Sequence, residues 1–438
     1  MEESTIPDIL EHLGRLLNTP PISVEIFPGD GYEVVQDTDG TDDTTSRHKP
    51  FMFLEDNLGV PQKVLHKAYM FAVRSFAKYR REARILDGDR KVLESLVHSS
   101  AVLLLANPAH QTALNVRKRL VLCQVIDPAH EMRFVAALLT VREGAKQSIL
   151  WHHRRWLFRR LCLTQESADP GDVSTPSFQS DGSLENVAIL PGTLQHEFKT
   201  ISQACEVYPR NYHAWAHRYI CFDALVALLS SSSPQHSEYA AVLADEYTSM
   251  RQWVERHVSD YTAVQYLCNI HTHLPNRTPA SYLTPSIAAC PGRPALLRDD
   301  HAIIAHARLL VEAYPDHESL WLYLRRSLTI SLKSLDCASR TDQCVLTFAH
   351  EFLAQEPGRA VTNPSLRSLS AADPRVVHTH ACRFLAWYAR TNGSLVHIGD
   401  TSVKSIVLSD IHDCEIGRLL NLQELFRRQM YGTSETVR

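Results

Sequence analysis

Apolar side chains recur every three or four residues through most of the chain, and short turns containing Pro and Asn separate the periodic segments. Over residues 194–208 this spacing predicts a helix. The helix should end before Pro209, because proline cannot donate to the preceding turn. Asn211 is a candidate N-cap for a second helix that carries Trp215 and Arg218. The predicted unit is therefore a helix, a Pro-Asn turn and a second helix.

This unit carries a short motif that recurs along the chain. The motif reads Pro, then Asn-Tyr or a related pair, then Trp, with Arg three residues after the Trp. Its five copies occupy residues 107–118, 146–155, 209–218, 259–267 and 315–326. Leu114 replaces the Trp in the first copy, and Val264 and Leu267 replace both key residues in the fourth. A spacing of about 37 residues between the first two copies is typical of solenoids of paired helices.

The Trp and Arg of each copy lie on one helical surface, because residues three apart are neighbours there. A Trp buried between hairpins, with an Arg bonding the adjacent turn, would join one repeat to the next. The residues predicted to have this structural role are Asn107, Arg117, Trp151, His152, His153, Arg154, Arg155, Asn211, Trp215, Arg218, Trp321 and Arg325.

The repeats predict an all-α fold, a right-handed α-α superhelix built as a solenoid of helical hairpins. An N-terminal extension that includes an acidic, turn-rich stretch over 30–50 is expected to be partly flexible over residues 1–60. The solenoid should cover 61–335, with loop insertions near 167–192 and 275–298. Capping helices are predicted over 336–438, including apolar stripes over 379–390 and 406–426.

Composition narrows the class of protein. The 438 residues are 44% hydrophobic and 21% charged, and the formal net charge is −4 at pH 7. This balance argues against nucleic acid or an anionic membrane as the main partner. The N-terminus is not typical of a secretory signal, and no run is long enough to predict a membrane span. Ten cysteines without a C-x-x-C pair indicate free thiols, so a cytoplasmic location is expected.

Histidine pairs are the candidates for a metal site on this chain. They are His152 with His153, His213 with His217, and His378 with His380. Adjacent helical residues diverge by about 100°, and no nearby Cys or carboxylate completes a tetrahedral set. The His213–His217 spacing lacks the Glu of a catalytic zinc helix. We therefore predict no metal, and without a phosphate loop or nucleophile motif we predict no independent catalytic residue.

The motifs at 146–155 and 209–218 resemble the repeat signature of protein prenyltransferase α subunits. The resemblance covers about residues 101–326, and the Trp-His-His-Arg-Arg string at 151–155 is its most specific part. Residues 103–108, 115–118 and 257–260, together with the long inserts, are similar to a divergent, repeat-containing branch of that family.

The resemblance implies a crescent of helical hairpins around a prenyltransferase β subunit that holds the zinc. For this branch it implies the β subunit of Rab geranylgeranyltransferase and a heterodimer that geranylgeranylates cysteine-ended acceptor proteins. This chain alone would bind no cofactor, and isoprenoid diphosphate would lie at the heterodimer interface. Lys146, Tyr212 and His213 correspond to residues near that diphosphate, whereas Ser148 stands where the family has Tyr.

Two other interpretations remain. The chain could be a non-enzymatic helical-repeat scaffold that binds proteins, which the eroded first and fourth copies and Ser148 favour. Lys146 could be a solvated lysine at a helix start, and Tyr212 and His213 could be packing residues of a first turn. A helical repeat that binds nucleic acid is disfavoured by the acidic balance and by the lack of a two-residue base-reading code.

Overall fold

A computed structural model describes residues 6–29, 48–82, 89–166, 184, 187–231, 234–275, 298–332, 338–353, 372–392, 397–398 and 401–402. Most of the predicted acidic excursion, most of both predicted loop insertions and the apolar stripe over 406–426 lie outside these residues. The chain divides into two compact units, Met1–Val242 and Leu243–Arg438.

The first unit is a series of helices with one small sheet. Its helices are α1 (Ile6–Asn18), α2 (Gln62–Glu82), α3 (Arg90–Ala106), α4 (Gln111–Leu122), α5 (Pro128–Leu139), α6 (Arg142–Ala145), α7 (Ser148–Glu166), α8 (Pro191–Val207) and α9 (Tyr212–Ser230). Helix α10 (His236–Arg256) begins in this unit and continues into the second. Helix α7 packs on α5, and α9 packs on α8, which gives the predicted helical hairpins.

The sheet precedes the repeats and has the strand order β1-β3-β2. Strand β1 (Ser23–Phe27) runs parallel to β3 (Asn57–Pro61), and β2 (Met52–Leu54) runs antiparallel to β3. Val24 and Val60 are buried, and α1 packs on α2 and α3. The described part of the predicted N-terminal extension is therefore packed structure, and the domain boundaries stay a prediction.

Side-chain caps set the start of several helices. The Asp127 carboxylate accepts the His130 N–H at the start of α5, where Pro128 takes the first helical position. Asn211 caps α9, as the sequence predicts, and α8 ends two residues before Pro209. These caps satisfy N–H groups that a helix leaves unpaired in its first turn. They fix where each second helix of a hairpin begins.

The described part of the second unit is also mainly helical. Its described elements after α10 are α11 (Tyr261–His273), α12 (Asp300–Ala313), α13 (Glu318–Leu332), α14 (Ala338–Glu351), α15 (Pro374–Asn392) and the short antiparallel pair β4 (His397–Ile398) and β5 (Thr401–Ser402). Asp260 caps α11 and Asp299 caps α12. Within this unit α13 packs on α11, α12 and α15.

The cores of both units are apolar. Trp151, Trp215 and Trp321 are each no more than 3% exposed. Among the cysteines for which burial is described, Cys123 is exposed, whereas Cys205, Cys221, Cys268 and Cys382 are buried. No helix in the described part of the chain combines the length and apolar character needed to cross a bilayer. The predicted all-α class with paired helical repeats is confirmed.

Candidate functional site

Three residues predicted to face an isoprenoid diphosphate come from two repeats, and one hydrogen bond brings their backbones together. Asn211 Nδ2 donates to the Ala145 carbonyl at 2.7 Å, while its Oδ1 accepts the N–H groups of His213 and Ala214. Lys146 follows Ala145 directly, and Tyr212 follows Asn211 directly. We call Lys146, Tyr212 and His213 the Lys146 edge.

Helix α6 holds the lysine at this edge. A Cβ atom on Gly144 would lie 2.1 Å from the Leu138 carbonyl oxygen, so only glycine allows this close approach. Lys146 caps the end of α6 and forms an ion pair with the Glu143 carboxylate. Its side chain is 37% exposed. Ser148, the departure from the family pattern, begins α7.

The aromatic side chains of the edge are open to solvent. Tyr212 is 76% exposed and His213 is half-buried, and their rings meet edge to face with centroids 5.4 Å apart. The Arg142 guanidinium lies 5.4 Å from the centroid of the Tyr208 ring. Arg142 begins α6, Tyr208 follows the end of α8 and Tyr212 begins α9. The role of the Lys146 edge toward a diphosphate stays a prediction.

The Asn211 side chain stabilises this edge twice, as a cap and through the Ala145 carbonyl. We expect Asn211→Ala to lower the free energy of unfolding by about 2 kcal/mol. Asn211→Asp should retain the cap and lose only the donor to Ala145. Urea unfolding of both variants measures this, together with hydrogen exchange of the first turn of α9. Equal losses for Asp and Ala would contradict the cap, and no loss for either would contradict both bonds.

A buried charged cluster joins the second helix of one hairpin to the next hairpin. Arg117 donates two hydrogen bonds to the Glu131 carboxylate, from Nε at 2.9 Å and from Nη2 at 2.6 Å. Its Nη1 donates to the Val97 carbonyl at 3.2 Å. His153 Nε2 lies 3.0 Å from the same carboxylate. All three charged or polar side chains are 0% exposed.

The following repeat contains the same cluster in the same arrangement. Arg154 Nε donates to Glu197 at 2.8 Å, its Nη2 also binds that carboxylate, and its Nη1 donates to the Met132 carbonyl at 2.9 Å. His217 Nε2 lies 2.7 Å from Glu197. Each arginine therefore binds a carbonyl within the first helix of its own hairpin rather than a turn, and its main partner is a buried glutamate of the next hairpin.

The buried carboxylates remain ionised. Burial alone would raise the pKa of Glu131, yet the Arg117 guanidinium and the His153 hydrogen bond outweigh it and lower the pKa to about 2. Arg154 and His217 likewise lower the pKa of Glu197 to about 2 against the effect of burial. Each glutamate is held by a bidentate guanidinium, which is the strong form of such a pair.

The two histidines are neutral donors. Burial lowers the pKa of His153 and of His217, and the effect of the neighbouring glutamate does not reverse it. Nδ1 of each ring has no hydrogen-bond partner among the described residues. A neutral ring with its proton on Nε2 fits this arrangement, since Nε2–H then donates to the carboxylate.

These pKa shifts predict acid sensitivity. Below pH 6.5 the unfolded chain protonates histidines that the folded chain keeps neutral, so stability should begin to fall there. Between pH 4.5 and 2 the free energy of unfolding should fall by a further amount on the order of 3 kcal/mol for each buried glutamate. The reason is that the pKa of each glutamate in the folded chain is about 2. Urea midpoints recorded from pH 7.5 downward test this. A midpoint that stays level or rises on acidification would contradict the cluster.

The cluster changes character in the second unit. Tyr266 takes the place of the histidine and donates to Glu246 at 2.9 Å. In the last copy Tyr323 takes that place, and its hydroxyl lies 2.9 Å from His306 Nδ1, where earlier repeats have a glutamate. The arginine that would pair with such a glutamate belongs to the preceding, fourth copy, where Leu267 takes its place. The guanidinium and its carboxylate have therefore been replaced together, which avoids an unpaired buried charge.

Two of the motif tryptophans are hydrogen-bonded to the turns of their own hairpins. Trp151 Nε1 donates to the Ala145 carbonyl at 2.9 Å, and Trp321 Nε1 donates to the Pro315 carbonyl at 2.7 Å. The Trp151 ring also lies 5.3 Å from the His217 ring. The Trp215 ring lies 5.5 Å from the Arg218 guanidinium. Trp151 therefore contacts both its own turn and the histidine of the next repeat.

The remaining motif residues are more peripheral. Asn107 ends α3 and accepts the Ala109 N–H, and Arg325 lies 4.7 Å from the Trp387 ring. His152 is exposed, in contrast to its neighbour His153, and contacts the buried Arg155. No described group of three or more His, Cys, Asp or Glu side chains is arranged to hold a metal ion.

Sequence reasoning missed Glu131 and Glu197. Each occupies a core position in an otherwise apolar helical stripe, with Phe134 and Leu138 on one helix and Leu194 and Ile201 on the other. A carboxylate at a core position is rarely tolerated without a cationic partner. That placement was the available signal for the cluster.

Comparison with known proteins agrees with this geometry. A family profile described as "Protein prenyltransferase alpha subunit repeat" matches residues 194–225, the α8–α9 hairpin that carries Glu197, Trp215 and Arg218. A zebrafish protein called "Protein prenyltransferase alpha subunit repeat-containing protein 1" is 30% identical over 290 residues, which are 63% of this chain. The human protein of that name is 26% identical over 317 residues, covering 68% of this chain and 72% of its own length.

The match does not extend over the whole of every relative. This chain spans 63% of the length of the zebrafish protein. A Xenopus laevis relative, protein 1-B of the same name, is 26% identical over 65% of each chain. The predicted resemblance is confirmed: the chain carries a protein prenyltransferase alpha subunit repeat and is similar to the repeat-containing proteins of that family.

Proposed function

We propose that the chain is the α-type subunit of a heterodimeric protein prenyltransferase that transfers geranylgeranyl groups to C-terminal cysteines of acceptor proteins. In this role it scaffolds a zinc-bearing β subunit, for which the β subunit of Rab geranylgeranyltransferase is the candidate. The chain supplies no independent catalytic residue and is inactive alone. The cytoplasm is the expected compartment.

The observation that carries the proposal is the convergence at the Lys146 edge. Asn211 links the start of α9 to the end of α6, so Lys146, Tyr212 and His213 come from two repeats to one edge. A lysine there would add positive charge where the diphosphate leaving group develops negative charge. The zinc of the β subunit would activate the acceptor thiol by favouring its thiolate.

Lys146→Ala tests the role of this edge. We expect the variant to bind the β subunit normally and to slow isoprenoid transfer by about ten- to a hundredfold, because only charge stabilisation is removed. Transfer is measured with radiolabelled geranylgeranyl diphosphate and a cysteine-ended acceptor. Lys91→Ala, an exposed lysine on α3, is the matched control. Unchanged transfer with Lys146→Ala would remove the diphosphate role.

A non-enzymatic scaffold is the second candidate. Ser148 in place of the family's Tyr and the loss of the Arg–Glu pair at Leu267 and His306 favour it. A scaffold predicts a stable protein partner without lipid transfer. Co-purification with the β subunit, assayed with and without geranylgeranyl diphosphate, distinguishes the two.

A further inference from the structure

A large groove lies in the first unit, on the side of the sheet away from β2. It encloses about 950 Å³ between β1, the start of α2, the end of α3 and residues 140–143. We call it the β1 groove; its lining includes Val24, Ile26, Lys63, Lys67, Asn107 and Arg142. Neither the repeat motif nor the Lys146 edge accounts for it.

One wall of the groove is the outer edge of β1, where Thr140 is hydrogen-bonded to Val24. Among the described strands, β1 is paired with β3 alone, in the order β1-β3-β2. On its other side the Val24 N–H donates to Thr140 Oγ1 at 2.8 Å, and Thr140 Oγ1 lies 3.3 Å from the Val24 carbonyl. Backbone groups alternate between the two sides of a strand. Ile26 therefore directs its N–H and C=O to the same side as Val24, into the groove.

The opposite wall is basic although the chain is acidic overall. Within α2 the exposed Lys63, Lys67, Arg74, Lys78 and Arg81 follow one face at helical spacing, and Glu82 is the only acid of this helix. Lys63 and Lys67 line the groove together with Arg142. Of the two carboxylates in the lining, that of Glu143 is paired with Lys146. The groove therefore complements a negatively charged occupant.

We propose that the β1 groove binds an extended acidic segment of a partner protein, which adds as a strand to β1. The edge groups at Ile26 would supply main-chain hydrogen bonds, and Lys63, Lys67 and Arg142 would bind the carboxylates. An anionic membrane fits less well. The apolar face of α2, including Leu65, Ala68 and Phe76, is buried in the protein, and a flat bilayer cannot follow a concave groove.

This proposal stands apart from isoprenoid transfer. It requires only the sheet edge and the basic wall, so it holds whether the chain acts as an enzyme subunit or as a scaffold. Helix α6 begins at the groove with Arg142 and Glu143 and ends next to Lys146. A partner segment in the groove would consequently lie next to the Lys146 edge.

The full-length chain can be tested with a fluorescent dodecapeptide that alternates Glu and Val. We expect saturable binding, measured by fluorescence anisotropy. Lys63→Glu/Lys67→Glu should weaken it at least about tenfold, since both cations become repulsive. Arg90→Glu/Lys91→Glu on α3 changes the net charge equally and should have little effect. A peptide N-methylated at alternate residues should also bind at least about tenfold more weakly, because it cannot form the ladder.

Three results would overturn the proposal. The first is absence of saturable binding by the unmodified peptide. The second is equal binding of the N-methylated peptide, which would show that charge attraction alone holds the peptide, without main-chain hydrogen bonds to β1. The third is binding to phosphatidylserine vesicles that depends on Lys63 and Lys67 and displaces the peptide. That result would show that the basic surface binds anionic membranes. Circular dichroism and thermal unfolding confirm that each variant is folded.

Discussion

Glu197→Ala is expected to lower the free energy of unfolding by about 3–5 kcal/mol, because it leaves the Arg154 charge buried without its carboxylate. His217 loses the same partner. The effect should be among the largest of any single substitution outside the tryptophans. Urea unfolding followed by far-ultraviolet circular dichroism measures it.

A matched control lies on the same helix. Glu206 is exposed, so Glu206→Ala should change stability by no more than about 0.5 kcal/mol. The double variant Arg154→Met/Glu197→Leu should be more stable than Glu197→Ala, since removing both charges leaves none unpaired. If Glu197→Ala and Glu206→Ala cost the same, or if the double variant is the least stable, the buried pair does not act as described.

Trp151→Ala is expected to cost about 3–5 kcal/mol, because it removes a ring that is 1% exposed and leaves a cavity. It also removes the hydrogen bond to the Ala145 carbonyl, the group that Asn211 uses to join two repeats. Hydrogen exchange should therefore increase in α6 and in the first turn of α9 as well as in α7. Global unfolding and exchange of these segments are the measurements.

Two further variants separate packing from hydrogen bonding at this position. Trp151→Phe keeps most of the buried area and loses only the donor, so it should cost about 1–2 kcal/mol. Trp156→Ala, at a half-buried position on the same helix, should cost less than Trp151→Ala. A loss from Trp156→Ala as large as that from Trp151→Ala would show that Trp151 has no special place between the repeats.

Local sequence patterns predicted the hairpins well because their determinants are local. Proline and asparagine at the turn set the end of α8 and the cap of α9 within five residues of each other. The Trp and Arg of each motif are three apart on one helix, so their common surface follows from helix geometry alone. The resemblance to a known family rests on the same short strings.

The charged clusters depend on contacts that local patterns do not specify. Glu131 lies 14 residues from Arg117, whereas Glu197 lies 43 residues from Arg154 because a long insertion separates α7 from α8. The same contact therefore has no fixed sequence spacing. It arises from the packing of neighbouring hairpins against each other.

The N-terminal sheet escaped prediction for a related reason. Strands β1 and β3 pair in parallel, and 34 residues separate Ser23 from its partner Asn57. Each strand has only five residues, and Pro and Gly occur in or near them. This is too short a run for a clear alternation of apolar and polar side chains. The stretch between the two strands is acidic and rich in turn residues, and this composition predicts a partly flexible extension.

We propose that this chain enables a partner to transfer a lipid. The most direct test of this claim is the transfer of radiolabelled geranylgeranyl to a cysteine-ended acceptor by the purified chain together with the β subunit of Rab geranylgeranyltransferase. Label should enter the acceptor only when both subunits are present, and a Cys→Ser acceptor should receive none. A stable complex of the two chains that transfers no label to any cysteine-ended acceptor, or no complex at all, would contradict the claim.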